Sequence, residues 1–235
     1  MQLRNVRDIH YQLLPGADRR TTDIVIERNG LISVRPPACM TPEQVDDTVF
    51  SKRMWIYRNL AEWRDLNTTR VVREWVNGES FLYLGSSYRL SLVDEQDELL
   101  KLKDGRFCLL RAVLEKDGKT GALAAFETFY RDQGLMRLVS RVAHFAGKVG
   151  VSPGKVHIKD MGFRWASCLK NGDLNFHWKC MMAPLTVIDY VVVHELCHLR
   201  HRDHSAAFWN EVDKVLPDWR DRHDWLRMRG ASLDI

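Results

Sequence analysis

One short stretch of this chain has residue types and spacing that can do chemistry: His194-Glu195-Leu196-Cys197-His198, with His204 six residues on. Four residues of α-helix turn about 400° and rise about 6 Å, so His194 and His198 point the same way. Both imidazoles can ligate one Zn2+, with Glu195 beside them to take a proton from a metal-bound water. That is the constellation of a zinc hydrolase, most often a peptidase. Three neutral histidine ligands leave a fourth position open, as a catalytic zinc requires. His204 can be the third ligand only if the helix ends soon after Leu199, because six more helical residues turn about 600° and would point it away. Arg200-His201-Arg202-Asp203 reads as the turn, since Asp tolerates turn conformations. Metzincins have a glycine where His201 stands, so this chain must turn by other means.

The surrounding elements decide whether the string is a site or a coincidence. In a chain with nine histidines, an H-E-x-x-H string arises by chance on the order of a few per cent of the time. Here it lies in a helix whose apolar Leu185, Ile188, Val191, Val192, Leu196 and Leu199 give a broad buried face, opened by Pro184. A further helix starts at Ser205, carries Phe208, Trp209, Val212, Val215 and Leu216, and stops at Pro217. Upstream, a strand at 156–159 and strands at 165–168 and 173–178 flanking Asn171-Gly172 are expected, after a long helix over about 122–148 weakened at Gly134. The segment 79–116 reads as β-rich, closed by Asp117-Gly118. Near the start, strands at 22–28 and 31–35 flank Asn29-Gly30, and Thr41-Pro42-Glu43-Gln44 opens a helix running to about 65. These elements suggest two lobes, 1–120 rich in β-structure with one helix and 121–235 carrying the metal motif.

Composition narrows the class. The 235 residues are 45% hydrophobic and 28% charged, ordinary for a globular protein with a real core. There is no run of 18 apolar residues and no apolar signal-peptide core at the start. Five cysteines without a C-x-x-C pair point to reduced thiols, so a cytoplasmic protein is expected. Cys168, Cys180 and Cys197 are read as packing residues. Net charge is +4 and the pI near 8.8, too mild to signal nucleic acid. Arg220, Arg222, Arg227 and Arg229 are offset by Asp218, Asp221 and Asp224 and read as a solvated helix face. His201 is the weaker alternative to His204, and His144, His157 and His223 have no partner at metal spacing.

Four segments carry a family resemblance: Gly162-Phe163-Arg164-Trp165-Ala166-Ser167-Cys168, Gly172-Asp173-Leu174-Asn175-Phe176, Val191 through Leu199, and His204-Ser205-Ala206-Ala207-Phe208-Trp209. Together they resemble the YgjP-like metallopeptidases, which group with SprT-like and WLM zinc-dependent peptidases, and the resemblance extends over most of the chain. It implies an α+β fold with a zincin-type catalytic lobe around the HExxH helix. It further implies His194, His198 and His204 as metal ligands and Glu195 as general base. The chain departs from the family pattern at Ala166, usually Gly, and at Phe176-His177-Trp178, where Leu-Asn-Trp is commoner.

The reading is therefore a zinc metallopeptidase acting on a polypeptide. Arg164, His177 and Tyr190 are candidates for stabilising an oxyanion, and the strand 174–178 for the sheet edge that takes a substrate strand. The alternative is a metal-dependent nucleoside triphosphate pyrophosphatase, an assignment some family members carry. It lacks the carboxylate cluster such chemistry usually needs. A non-catalytic zinc module is the third class, disfavoured because a structural site needs no base.

Overall fold

The computed structural model describes residues 2–18, 21–26, 30–66, 72–161 and 164–235. Contacts divide the chain into two compact units, Met1–Arg70 and Val71–Ile235. That division falls well before the lobe boundary expected near 120.

In the first unit, β1 (Gln2–Val6), β2 (Ile9–Leu13), β3 (Asp23–Ile26) and β4 (Ile32–Arg35) form one sheet in the order β1-β2-β4-β3. Strands β3 and β4 are the antiparallel pair expected around Asn29-Gly30. Asn29 itself lies outside the described residues, and Gly30 takes φ 79°. The first hairpin escapes sequence reading because its turn uses Arg7 at φ 54° instead of a glycine or asparagine. The expected single helix is two, α1 (Pro42–Ser51) and α2 (Arg53–Leu66), separated at Lys52. Thr41 and Gln44 form the expected reciprocal cap: the Thr41 N–H donates to Gln44 Oε1 at 2.9 Å, and the Gln44 N–H donates to Thr41 Oγ1 at 3.4 Å. Ile9, Tyr11, Ile32, Val34, Val45, Val49 and Ile56 make a separate small core.

The second unit opens with β5 (Ser80–Tyr83), β6 (Ser86–Val93), β7 (Leu100–Lys103) and β8 (Arg106–Leu110), ordered β5-β6-β8-β7. Helix α3 (Arg111–Val149) follows, kinked where Gly118 leaves helical geometry at φ 60°. Phe81 and Phe107 on this sheet lie 4.4 and 4.9 Å, centroid to centroid, from Phe126 on α3. This shared aromatic core is why no contact boundary falls near 120: the β-rich segment and the long helix bury each other's apolar faces. Gly134 does not break α3. A Cβ there would come within 2.8 Å of Ile158 and 3.0 Å of Met181, so glycine lets the helix approach the next layer.

That layer is a three-stranded sheet of β9 (Val156–Lys159), β10 (Ala166–Cys168) and β11 (Leu174–His177), in the order β10-β11-β9. β11 is therefore central and fully buried, so the strand expected to be an edge at 174–178 is not one; the edges are β10 and β9. Sequence places β11 correctly as a strand but cannot supply strand order, because β9 pairs with it in parallel across an intervening connection. A 3-10 turn, Trp178–Met182, leads to α4 (Leu185–Cys197), then α5 (Ala206–Val215) and α6 (Trp219–Arg229). Helix α4 is buried along almost its whole length and tied to α3 by a bidentate pair, Arg141 Nε and Nη2 to the Asp189 carboxylate at 2.6 and 2.7 Å. Among the described residues, no helix is long and apolar enough to cross a membrane.

Candidate metal centre and its cleft

His194 sits in the last turn of α4 and His198 is its C-cap, so the two rings project from the same face one turn apart. Helix α4 stops at Cys197, and the chain closes with Arg200 N–H to the Cys197 carbonyl at 3.1 Å and His201 N–H to the same oxygen at 3.0 Å. No residue from Leu199 to Ser205 takes a positive φ, so this turn needs no glycine. Side chains hold it instead. Arg200 bonds Glu211 Oε1 on α5 at 3.0 Å and the Gly150 carbonyl after α3 at 2.8 Å, and Arg202 bonds the Leu169 carbonyl at 3.1 Å. The reversal brings His204 back beside the helix, with Ser205 at the N-cap position of α5 though its side chain makes no capping bond.

The ligand nitrogens of His194, His198 and His204 all lie within 4.8 Å of one another. His194 Nε2 is 3.2 Å from His198 Nε2 and 3.0 Å from His204 Nε2. His198 Nδ1 is 2.9 Å from the His201 carbonyl oxygen. A carbonyl can only accept, so Nδ1 carries the proton and Nε2 presents a lone pair to the cluster. His201 thus contributes through its backbone, by orienting the His198 ring. His194 Nδ1 is buried with no hydrogen-bond partner, and packing against Phe208 and Tyr190, at 4.9 and 5.9 Å, orients that ring. Burial, then the neighbouring histidines, pushes His194 down to about 3, and burial also lowers His198 and His204. Three neutral imidazoles with converging nitrogens are the donor set that suits a tetrahedral divalent ion, which would offset the crowding of their lone pairs.

Glu195 is 6% exposed. Burial pushes its carboxyl up to about 8, opposed by the backbone N–H of Cys168 on β10 and by the charge of Arg164. A cation at the histidines would act with those two and favour the carboxylate. A cleft of about 630 Å³ opens on His194, Glu195 and His204 and is walled by Arg164, Trp165 and Ala166 on one side and by Tyr190, Trp209, His223, Leu226 and Arg227 on others.

Of the three oxyanion candidates, Arg164 and Tyr190 line this cleft and His177 does not. His177 is 2% exposed, its Nδ1 accepts from the Lys179 N–H at 3.1 Å, and its Nε2 faces Asp160 at 3.4 Å. It caps the 3-10 turn. Burial raises the Tyr190 phenol, which stays protonated. Its ring stacks on Trp219 at 6.5 Å, Trp219 on Trp209 at 4.3 Å, and Trp209 on His204 at 5.7 Å, so a run of aromatic rings backs the exposed third histidine.

Sequence reading missed two lining residues. His223 and Arg227 are four apart on α6, on one helical face. The alternation of Arg and Asp there reads as solvated, and only the packing of Trp219 and Leu226 under the helix shows which face meets the cleft.

The family model described as YgjP-like, metallopeptidase domain, matches residues 20–229. Among solved structures the chain is similar to the metallopeptidase zymogen of Pyrococcus abyssi abylysin, at 24% identity and a TM-score of 0.37, over 39% of this chain and 93% of that one. No curated protein matches.

Proposed function

This chain belongs to the YgjP-like metallopeptidase family, and on that premise we propose that it is a zinc-dependent peptidase with His194, His198 and His204 as ligands and Glu195 as general base. The observation that carries the proposal is the convergence of three histidine nitrogens beside a buried carboxyl, at the floor of a cleft. When bound, zinc would supply Lewis acidity and bring the pKa of a coordinated water to about 7. Glu195 then has the remaining work: it holds a water proton and returns it to the leaving amine. The Cys168 N–H fixes the orientation of its carboxylate. Tyr190, kept protonated by burial, is a hydrogen-bond donor in the same cleft, and Arg164 a cationic one, and these two are the groups for a developing oxyanion.

The edge strand supports a polypeptide substrate. His177 N–H donates to the Trp165 carbonyl at 2.8 Å and Leu169 N–H to the Asp173 carbonyl at 2.8 Å, so Trp165 and Leu169 face β11. By the alternation of an antiparallel ladder, the backbone groups of Ala166 and Cys168 point the other way. Cys168 meets Glu195, which leaves Ala166, a cleft-lining residue, to pair with an added strand.

The test is a Glu195→Gln variant against flexible polypeptides and nucleoside triphosphates in parallel. Peptide cleavage by the zinc-loaded protein should fall by roughly 10²–10⁴ in the variant, with zinc content unchanged. Unchanged turnover would sink the mechanism. The nucleotide-hydrolase alternative wants clustered carboxylates, and the one group of His, Cys, Asp or Glu able to hold a metal among the described residues is the three-histidine set.

A further inference from the structure

We propose that this cleft holds an apolar subsite, walled by Val191, Ala166, Leu226 and Trp165, that selects polypeptides with a large aromatic or aliphatic side chain next to the scissile bond; the inference rests on the peptidase reading above and names its substrate class.

Helix α4 and strand β10 meet at matched spacing. Val191 lies one turn before Glu195 on α4, about 6 Å along the axis. Ala166 lies two residues before Cys168 on β10, about 6.6 Å along the strand and on the same face. The Cys168 N–H meets Glu195, and Ala166 and Val191 both line the cleft. An apolar pair thus stands one step along from the carboxyl that acts on the scissile bond. Helix α6 closes the space from another side. Gly230, its C-cap, donates its N–H to the Leu226 carbonyl, so the two share a helical face. A Cβ on Gly230 would lie 2.8 Å from Trp165 Cζ2. Leu226 and the Trp165 ring therefore belong to one wall, and both line the cleft. That wall adjoins the metal centre: the Tyr190 ring is 5.9 Å from His194, and the Trp209 ring is 5.9 Å from His194 and 5.7 Å from His204. Val191, Leu226 and Tyr190 are buried, so packing fixes these walls before a substrate arrives. At about 630 Å³ the cleft has room for a Phe or Leu side chain beside a peptide backbone. A strand laid beside β10 puts the side chain opposite Ala166 on the same face as the Ala166 methyl, toward this wall. A polar side chain of the same size would be desolvated there, and an alanine would leave the space unfilled.

The test uses peptides matched except for Phe, Leu, Gln or Ala at one position, scanned on both sides of the cleaved bond. Two readouts are taken: kcat/KM with the zinc-loaded wild type, and equilibrium binding of the same peptides to zinc-loaded Glu195→Gln. At one position Phe or Leu should be preferred over both Gln and Ala by about tenfold or more, the scale on which filling an apolar pocket discriminates. Val191→Phe, which occupies the space, should cut that preference to about threefold or less. Leu226→Ala, which removes part of the wall from a different helix, should lower it as well; zinc content and circular dichroism show each variant folded. Equal cleavage of all four peptides at every position, or a preference unchanged in both folded variants, would overturn the subsite and leave the peptidase standing. Preferential binding of the Phe peptide with no peptide ever cleaved would overturn the peptidase and keep the apolar subsite. Hydrolysis of nucleoside triphosphates lost in Glu195→Gln, with no peptide bound or cut, would overturn both.

Discussion

At the scale of single residues, the three histidines are not equivalent. His194 is oriented by packing, His198 by the His201 carbonyl, and exposed His204 by stacking on Trp209. Substituting any of the three by Ala should strip zinc, measured by metal analysis after dialysis. His201→Ala should retain about one zinc per chain, because a backbone oxygen survives the substitution. Full occupancy in His204→Ala together with loss in His201→Ala would move the third ligand to His201. A second residue-scale prediction concerns Asp46 in the first unit. Its carboxylate accepts from Arg4 Nε at 3.2 Å and from the Tyr11 hydroxyl at 2.6 Å. Those bonds, Arg4 first, hold it below the usual carboxylate range, against the opposing effect of burial. A depressed folded-state pKa contributes stability that is complete above the unfolded value of about 3.9 and disappears as pH falls through the folded value. Asp46→Asn should therefore destabilise the chain at pH 7 and by less as the pH is lowered below about 3.9, by urea titration; an effect that does not change with pH would show that the charge is not what matters.

At the scale of elements, the active turn is a case of tertiary bonds replacing a backbone device. A glycine would permit the reversal after a metal helix by its own conformational freedom. Here Arg200 ties the turn to Glu211 on α5 and to Gly150 beyond α3. Arg200→Ala should leave the helix intact but weaken zinc binding by roughly tenfold or more, the effect of losing a group that orients a ligand-bearing segment. Competition with a chelator of known affinity measures it, and an unchanged zinc affinity would mean the turn holds its shape without Arg200. The sheet supplies another element-scale result. β10 lies at an edge and β11 at the centre, so Ala166→Pro, which deletes an outward N–H, should lower peptide affinity while leaving zinc content alone. A variant that binds peptide as tightly as wild type would place the substrate strand elsewhere.

At the scale of the whole molecule, zinc is expected to act as a stabilising ligand as well as a reagent. An ion that binds only the folded state stabilises by about 4 kcal/mol when its free concentration is about 1,000 times its Kd. Removing zinc with a chelator should thus lower the unfolding temperature by several degrees, and His194→Ala should erase the difference between zinc-loaded and chelated samples. An identical melting curve with and without chelator, at full initial occupancy, would exclude coupling between metal and fold.

Features that depend on residues close together in the chain were legible before any fold was known. The i, i+4 pair of histidines, Glu195 between them, the need for the helix to end after Leu199, the Thr41 cap and the turn at Asn171-Gly172 are all local, set by helical period and backbone preference. Family membership was legible for the same reason, since its motifs are short and contiguous. Features that depend on elements meeting were not legible until the fold placed those elements together. Strand order put β11 at the centre and β10 at an edge, the Phe81–Phe107–Phe126 core joined segments on either side of residue 120, and α6 brought His223 and Arg227 to the cleft wall. His177 went the other way, into a buried cap, though its position in a strand gave it equal standing with Tyr190. The physical reason is that a side chain's direction follows from its own backbone, whereas what it faces follows from the burial of apolar surface contributed by segments far away in the chain.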